Sequence, residues 1–318
     1  MRSLTKRITP YIISALCIAY VLWDINFKSL AESFRTLHLW PLFLSQILVL
    51  TAYIPMIARI RSLSSGKLSY TKCMHASFIC IAANTLLPAR LGEGAKTIII
   101  SRNATLSFKQ ALGIVFWERF ADINALLVLG LFATIQLNSQ LALLPLLAVV
   151  IIIWTILFLL VLWPQLVKRL TSYLPWEDVK TFCRDLALVL TEKLRFKDMA
   201  PLSTYTLILW TLGYISFFLV ISFGTNLELN SGEILIVFVA SIVGLTIPSA
   251  PAGIGVYESF VVGALLLYGV PKEEGLAIAI VLHLLQMLIP TLIGLCFISQ
   301  LSDSSLDLFK KLKNSKTT

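Results

Sequence analysis

Apolar residues run through the chain in long blocks, separated by short polar stretches rather than alternating with them. Six blocks reach spanning length, at about 8–25, 39–58, 111–137, 141–163, 204–224 and 276–299, where about 20 residues are needed to cross a bilayer. Two further apolar regions, 73–102 and 233–268, are interrupted near their middles by NTLLPARLGEG at 84–94 and LTIPSAPAGIGVYE at 245–258. Proline and glycine break a helix at these points. Irregular backbone survives in hydrocarbon only where it is buried in protein or lines a wet cavity. Each interruption therefore predicts a hairpin whose broken tip lies inside the membrane. The predicted fold is an all-α integral membrane protein with about six full spans plus two re-entrant or broken hairpins, forming one polytopic domain over 1–318. The tips share a loose pattern, Pro88 with Gly92 and Glu93, then Pro251 with Gly255 and Glu258, as an inverted repeat of the transporter kind would leave behind.

Charge sets the direction of the spans. The N-terminus (Arg2, Lys6, Arg7), the loop 59–72 (Arg59, Arg61, Lys67, Lys72), the loop 164–203 and the tail (Lys310, Lys311, Lys313, Lys316) are basic. The opposite side carries Lys28, Arg35 and Lys272 against Asp24, Glu32, Glu228, Glu233, Glu273 and Glu274. The positive-inside rule then places both termini in the cytoplasm of a multi-pass cytoplasmic-membrane protein. That holds only if 73–102 enters and leaves on one side, because a single crossing there would put the basic 164–203 loop outside. For 233–268 charge leaves open a re-entrant hairpin or two short spans. The basic start and apolar body of the N-terminus, without a small-residue cleavage site, read as an uncleaved first span.

Composition narrows the function classes. The chain has 318 residues, 58% hydrophobic and 14% charged, with a mean hydropathy of +0.86. No polar stretch is long enough for a separate soluble catalytic domain. The formal net charge of +9 lies in short loops beside apolar blocks, without interleaved aromatics, so nucleic acid is not an expected partner. Cys17, Cys73, Cys80, Cys183 and Cys296 show no CxxC spacing, and His38, His75 and His283 are far apart, so neither a metal nor another cofactor is expected.

The candidate chemistry is charge at membrane depth. The block GIVFWERFADINALLVLG places Glu118, Arg119 and Asp122 inside an apolar span. A charge near the bilayer centre costs about 2.5–3.5 kcal/mol even on the lenient scale, so each requires a partner or water. Arg119 and Asp122, three apart, share a helix face and can pair. They serve either as a structural ion pair or as part of a substrate path. The first tip adds Arg90, Glu93 and Lys96. The second adds Glu258, placed to cap the outgoing arm or to face a path. Asn84, His283 and Gln286 are further polar groups at depth, of the kind that hydrogen-bond between helices.

NTLLPARLGEG, WERFAD at 117–122 and IPSAPAGIGVYE at 247–258 together resemble, in order and spacing, the signatures of the lysylphosphatidylglycerol synthase transmembrane family of flippase-like membrane proteins. The resemblance covers nearly the whole chain. It implies two re-entrant elements around a cavity and movement of lipid-linked molecules between leaflets. Family substrates include aminoacylated phospholipids, hopanoid glycolipids and lipid-linked glycans. Arg90, Glu93, Glu118, Arg119, Asp122, Gly253, Gly255 and Glu258 fall on its motif positions, and Asn84 joins them as a candidate lining the path. No segment matches the aminoacyl-transferring domain of the synthases, so translocation of a membrane lipid or lipid-linked glycan is the leading expectation. A membrane-embedded transferase using Glu93 or Asp122, and a non-catalytic partner of an envelope-lipid synthase, are the alternatives.

Overall fold

The computed structural model describes residues 2–87, 91–102, 106–137, 140–162, 169, 171–173, 176–192 and 195–300, and among these every regular element is helical. The helices are α1 (Arg2–Leu22), α2 (Phe27–Arg35), α3 (Leu39–Thr51), α4 (Tyr53–Leu63), α5 (Tyr70–Leu86), α6 (Gly92–Ser101), α7 (Phe108–Gln136), α8 (Gln140–Leu162), α9 (Glu177–Glu192), α10 (Phe196–Gly224), α11 (Ser231–Thr246), α12 (Val256–Leu266) and α13 (Lys272–Ser299). A helix stands at each of the six positions expected for a span. Three stretches, Leu39–Leu63, Lys197–Gly224 and Lys272–Ser299, are long and apolar enough to cross a membrane. Their largely apolar surfaces face outward, as they must where lipid rather than water is the solvent.

Two expectations need correcting. The first block is not a plain span followed by a loop: the chain turns at Asp24, which adopts φ 59, and α2 leaves at 86° to the helix before it. Asn26 caps α2 by accepting from the N–H groups of Lys28 and Ser29. The second block does not end before Arg59. The helix continues to Leu63, and Arg59 is fully buried, so it is not the loop charge that the orientation count assumed. The remaining cations of 59–72, Arg61, Lys67 and Lys72, still make that segment basic.

The two interrupted regions form helical hairpins, α5–α6 and α11–α12, and α13 is the ruler that locates them. α5 runs antiparallel to α13: His75 packs on Phe297, Phe78 and Ala82 lie against Gly294, and Thr85 hydrogen-bonds Thr291 at 3.0 Å. Its partner α6 returns to the same end, where Leu68, Ile100 and Leu106 share one core cluster. The base of the first hairpin therefore sits at the Ser299 end of α13. The second hairpin has its base at the other end, since Leu265 and Val262 lie against Gly275. Its tip reaches only halfway, with the Ala252 carbonyl 3.1 Å from His283 Nε2. The hairpins enter from opposite ends, and their tips meet beside the middle of α13.

Helix α9, within the loop after α8, packs on the first half of α7. Trp117 Nε1 donates to the Leu190 carbonyl at 3.2 Å, and Lys109 pairs with Asp185. This gathers Ser64, Lys67, Leu106, Gln110 and the end of α9 at one end of the bundle. At the far end Lys272 Nζ donates to the Tyr20 and Trp23 carbonyls, both at 2.7 Å, closing the C-terminus of α1.

Candidate functional site

The first tip is held by close approach and charge. Gly92 starts α6 against α5, and any Cβ there would strike the Cys80 carbonyl and the Asn84 side chain. Asn84 Oδ1 instead accepts from the Gly92 N–H at 2.8 Å, satisfying one of the open donors at the start of α6. Glu93 follows in the first turn, where the helix dipole favours a carboxylate. Pro88, Ala89 and the candidate Arg90 lie outside the described residues.

Beside this tip, three cations and three carboxylates make a continuous network. Arg59 directs its fork at Asp122, Nη1 to Oδ1 at 2.6 Å and Nη2 to Oδ2 at 3.3 Å. It also reaches Glu118 Oε1 at 3.3 Å and Thr206 Oγ1 at 3.2 Å. Lys96 Nζ lies 2.8 Å from the other oxygen of Glu118. Arg119 pairs with Asp122 at 2.8 Å and, more loosely, with Glu93 at 3.6 Å. Trp210 Nε1 adds a donor to Asp122 at 3.3 Å. Formal charge is balanced across the six groups, which offsets the cost of holding charged side chains in the dry part of the network.

The network is graded from dry to wet. Arg59, Lys96 and Glu118 are inaccessible, whereas the Arg119 side chain is 40% exposed and that of Glu93 26%. The Arg119–Asp122 pair expected from the helix spacing is present, yet Asp122 bonds Arg59 more fully than it bonds Arg119. Arg59 is the residue that sequence reasoning missed. Its signal is the buried stripe Pro55, Arg59, Ile60, Leu63 on α4, a helical face with a cation in it.

The second tip is shaped by backbone. Ala252, Gly253 and Gly255 take φ 62, 80 and 86, the left-handed region that disfavours a Cβ. A side chain on Gly255 would also come within 2.6 Å of Ile18 on α1. Ser14 of α1 accepts the Ala250 N–H at 2.9 Å. Glu258 Oε2 accepts the Gly255 N–H at 2.6 Å, satisfying one open donor at the start of α12. Its other oxygen lies 2.6 Å from His283 Nδ1. Tyr257 stacks on the His283 ring at 4.1 Å, and Gln286 Nε2 donates to the Tyr257 hydroxyl at 3.2 Å.

Between the tips lies a cavity of about 410 Å³. Its polar wall includes Asn84, Thr85, Glu93, Arg119, His283 and Gln286, and Gly253 is on its rim. The structure thus brings Asn84, Glu93, Arg119 and Gly253 together at one space. Asp122 sits behind Arg119, and Glu118 deeper still. Gly255 faces α1. Glu258 stands behind His283, reaching the cavity through that ring. His283, expected only as a hydrogen-bonding helix residue, is the group that faces it.

A helical bundle with three membrane-length apolar stretches, two opposed broken hairpins and an ionic network beside their meeting point defines a polytopic membrane protein built around a cavity of mixed polar and apolar lining. The lysylphosphatidylglycerol synthase TM region matches residues 7–294, and the chain belongs to that family, whose proteins are associated with lipids. No curated protein matches the sequence.

Proposed function

We propose that the protein moves a lipid or lipid-linked molecule between the leaflets of the cytoplasmic membrane, carrying the polar headgroup through the cavity between the two tips. The carrying observation is that cavity: about 410 Å³, midway along α13, with Glu93 and Arg119 on one wall and His283 and Gln286 on the other. At about 30 Å³ per water it holds the equivalent of roughly fourteen water molecules, room for a hydrated headgroup. A headgroup crossing bare hydrocarbon loses its hydrogen bonds with nothing in exchange. The polar walls replace them. Leu86, Ile254, Leu284 and Leu288, next in sequence to cavity residues, are 51%, 48%, 44% and 48% exposed, an apolar flank along which acyl or prenyl chains stay in lipid.

In this reading the two hairpins are re-entrant, one from each leaflet, and form an inverted pair that closes the path by turns. Glu93 and Arg119 are loosely paired at 3.6 Å, so a headgroup bearing an anion, a cation or both can part them. Glu258 acts through His283. Both chain termini lie in the cytoplasm, with the basic loops around Lys67 and α9.

The test is reconstitution in liposomes with a headgroup-labelled lipid and an outer-leaflet quencher. Glu93→Gln and Arg119→Gln are expected to accumulate normally and to lose leaflet exchange. Exchange unchanged in both sinks the translocator reading. For orientation, single cysteines at Lys67 and Lys28 in a cysteine-free background are treated with an impermeant thiol reagent on intact cells. Labelling at 28 and protection at 67 is the expected pattern, and the reverse overturns the topology.

A further inference from the structure

The His283 ring is flanked by acceptors on both sides. Nε2 faces the Ala252 carbonyl at 3.1 Å, an oxygen that only accepts. Nδ1 faces Glu258 Oε1 at 2.6 Å, and the other oxygen of that carboxyl already accepts from Gly255. A neutral imidazole has one N–H and one lone pair, and an ionised carboxylate has no proton. Neutral His283 beside ionised Glu258 therefore cannot make both contacts. One further proton is required, either on the ring as imidazolium or on the carboxyl as O–H donating to Nδ1. In both arrangements Nε2–H points at Ala252, and the pair is neutral as a whole.

Removing that proton costs a contact. If Nε2 keeps its hydrogen, the Nδ1 lone pair faces a carboxylate. If Nδ1 takes it, the Nε2 lone pair faces the Ala252 carbonyl and the tip loses its tie to α13. Ala252 is held at φ 62, where an L-residue is disfavoured, so the untied tip has reason to move. The proton has a route, because His283 lines the cavity.

The surroundings contain few other titrating groups. α12 contributes Glu258 and Tyr257. Across the cavity α6 and α7 contribute Glu93 and Arg119, which are paired with each other. α5 presents Asn84 and Thr85, with Cys80 behind Asn84. α11 presents Thr246 on the cavity wall, with Ser241 beside Tyr257. α1 meets the far side of the tip and α12 through Ser14, Ile18 and the Cys17 carbonyl. α2 meets α13 at its start, where the Asn26 N–H donates to Glu273.

We infer that Glu258 and His283 form a proton-binding site in the cavity wall, and that loss of its proton releases the second tip, making tip movement proton-coupled. The proton site stands on its own geometry; its use to drive lipid movement rests on the translocator reading.

The site is tested on the full-length protein in phospholipid vesicles with ¹⁵N-labelled histidine, the His283 resonances being assigned by their loss in His283→Gln. Infrared absorption of protonated carboxyl groups is followed across the range in which carboxylates and histidines titrate. The expected wild-type result is one shared proton at the lower end, seen as a doubly protonated His283 or as a protonated Glu258, and its loss as pH rises. Hydrogen exchange of the 249–256 backbone follows in the same samples. Glu258→Gln supplies an N–H to Nδ1 and cannot titrate, so its tip stays tied. Wild type is expected to lose about tenfold more protection than Glu258→Gln at high pH, the worth of one hydrogen bond. A singly protonated ring beside an ionised carboxylate throughout, or identical exchange profiles, overturns the proposal. If Glu258→Gln does not accumulate, the wild-type spectra decide alone. An imposed pH gradient separates the two readings. A titrating site with lipid exchange indifferent to the gradient removes the coupling, and a titrating site with no lipid exchange at all removes the translocator reading while leaving the proton site.

Discussion

The first hairpin presents its tip to the cavity through ionised side chains, its own and those of two other helices. Glu93 meets Arg119 from α7, and behind them Arg59 from α4 and Lys96 from α6 hold Glu118 and Asp122. The second hairpin presents backbone, bent through three positive-φ residues and tied by a glutamate–histidine pair. Two segments with the same proline–glycine–glutamate outline thus do their work by different means. One depends on matched charge carried on distant helices, the other on local conformation. The difference predicts where each will break.

The largest effect is expected at Arg59. Arg59→Leu leaves Glu118 and Asp122 short of a shared cation in a dry site, at a cost of about 3–5 kcal/mol. Thermal unfolding in detergent and membrane accumulation both fall sharply, whereas Glu258→Gln at the second tip accumulates near normally. Exchanging Arg119 and Asp122 does not rescue either single change, because an arginine at 122 would face Arg59. Recovery in that double variant would contradict the shared role of Asp122.

A smaller loss is expected where the hairpin arms touch. Gly92→Ala drives a methyl into the Cys80 carbonyl and destabilises by about 1–3 kcal/mol. Gly94, two residues on, has open space around it, so Gly94→Ala is neutral or gains up to about 1 kcal/mol from helix propensity. Melting temperatures of the pair separate close approach from any general dislike of alanine in α6. At the second tip Gly255→Ala costs about 1–2 kcal/mol for its left-handed backbone, with the contact to Ile18 added.

The smallest effect has the opposite sign. Ala252→Gly relieves a disfavoured φ but loosens the unfolded chain, for a net gain of about 0.5 kcal/mol. A clear loss of stability there would show that the Ala252 methyl packs usefully and that the tip is not strained.

Much of this could be read before any coordinates. Block lengths gave helices at every expected position, and the prolines and glycines gave both tips, because spanning length and helix breaking are properties of contiguous residues. The acidic and basic residues of WERFAD stood out because charge in an apolar run is anomalous wherever the run lies. Arg59 did not stand out. It sits two residues from Arg61 at the edge of an apolar block, where a cation ordinarily marks a loop. Its partners Glu118 and Asp122 are 59 and 63 positions away. Nothing local signals them.

The sequence by itself determined a helical membrane protein with two broken hairpins, charge at depth and a family. Each of these follows from hydrophobic length, backbone restriction and motif order along one dimension. Entry of the two hairpins from opposite sides was already an expectation from the loop charges. Only the tertiary structure decided where along α13 their tips sit, that Arg59 joins Glu118 and Asp122, and that His283 rather than Glu258 faces the space between the tips. Those outcomes depend on how helices rotate about their axes and pack against one another. A turn of 100° per residue decides whether a side chain meets a partner, a cavity or lipid, and contacts between distant segments fix that rotation.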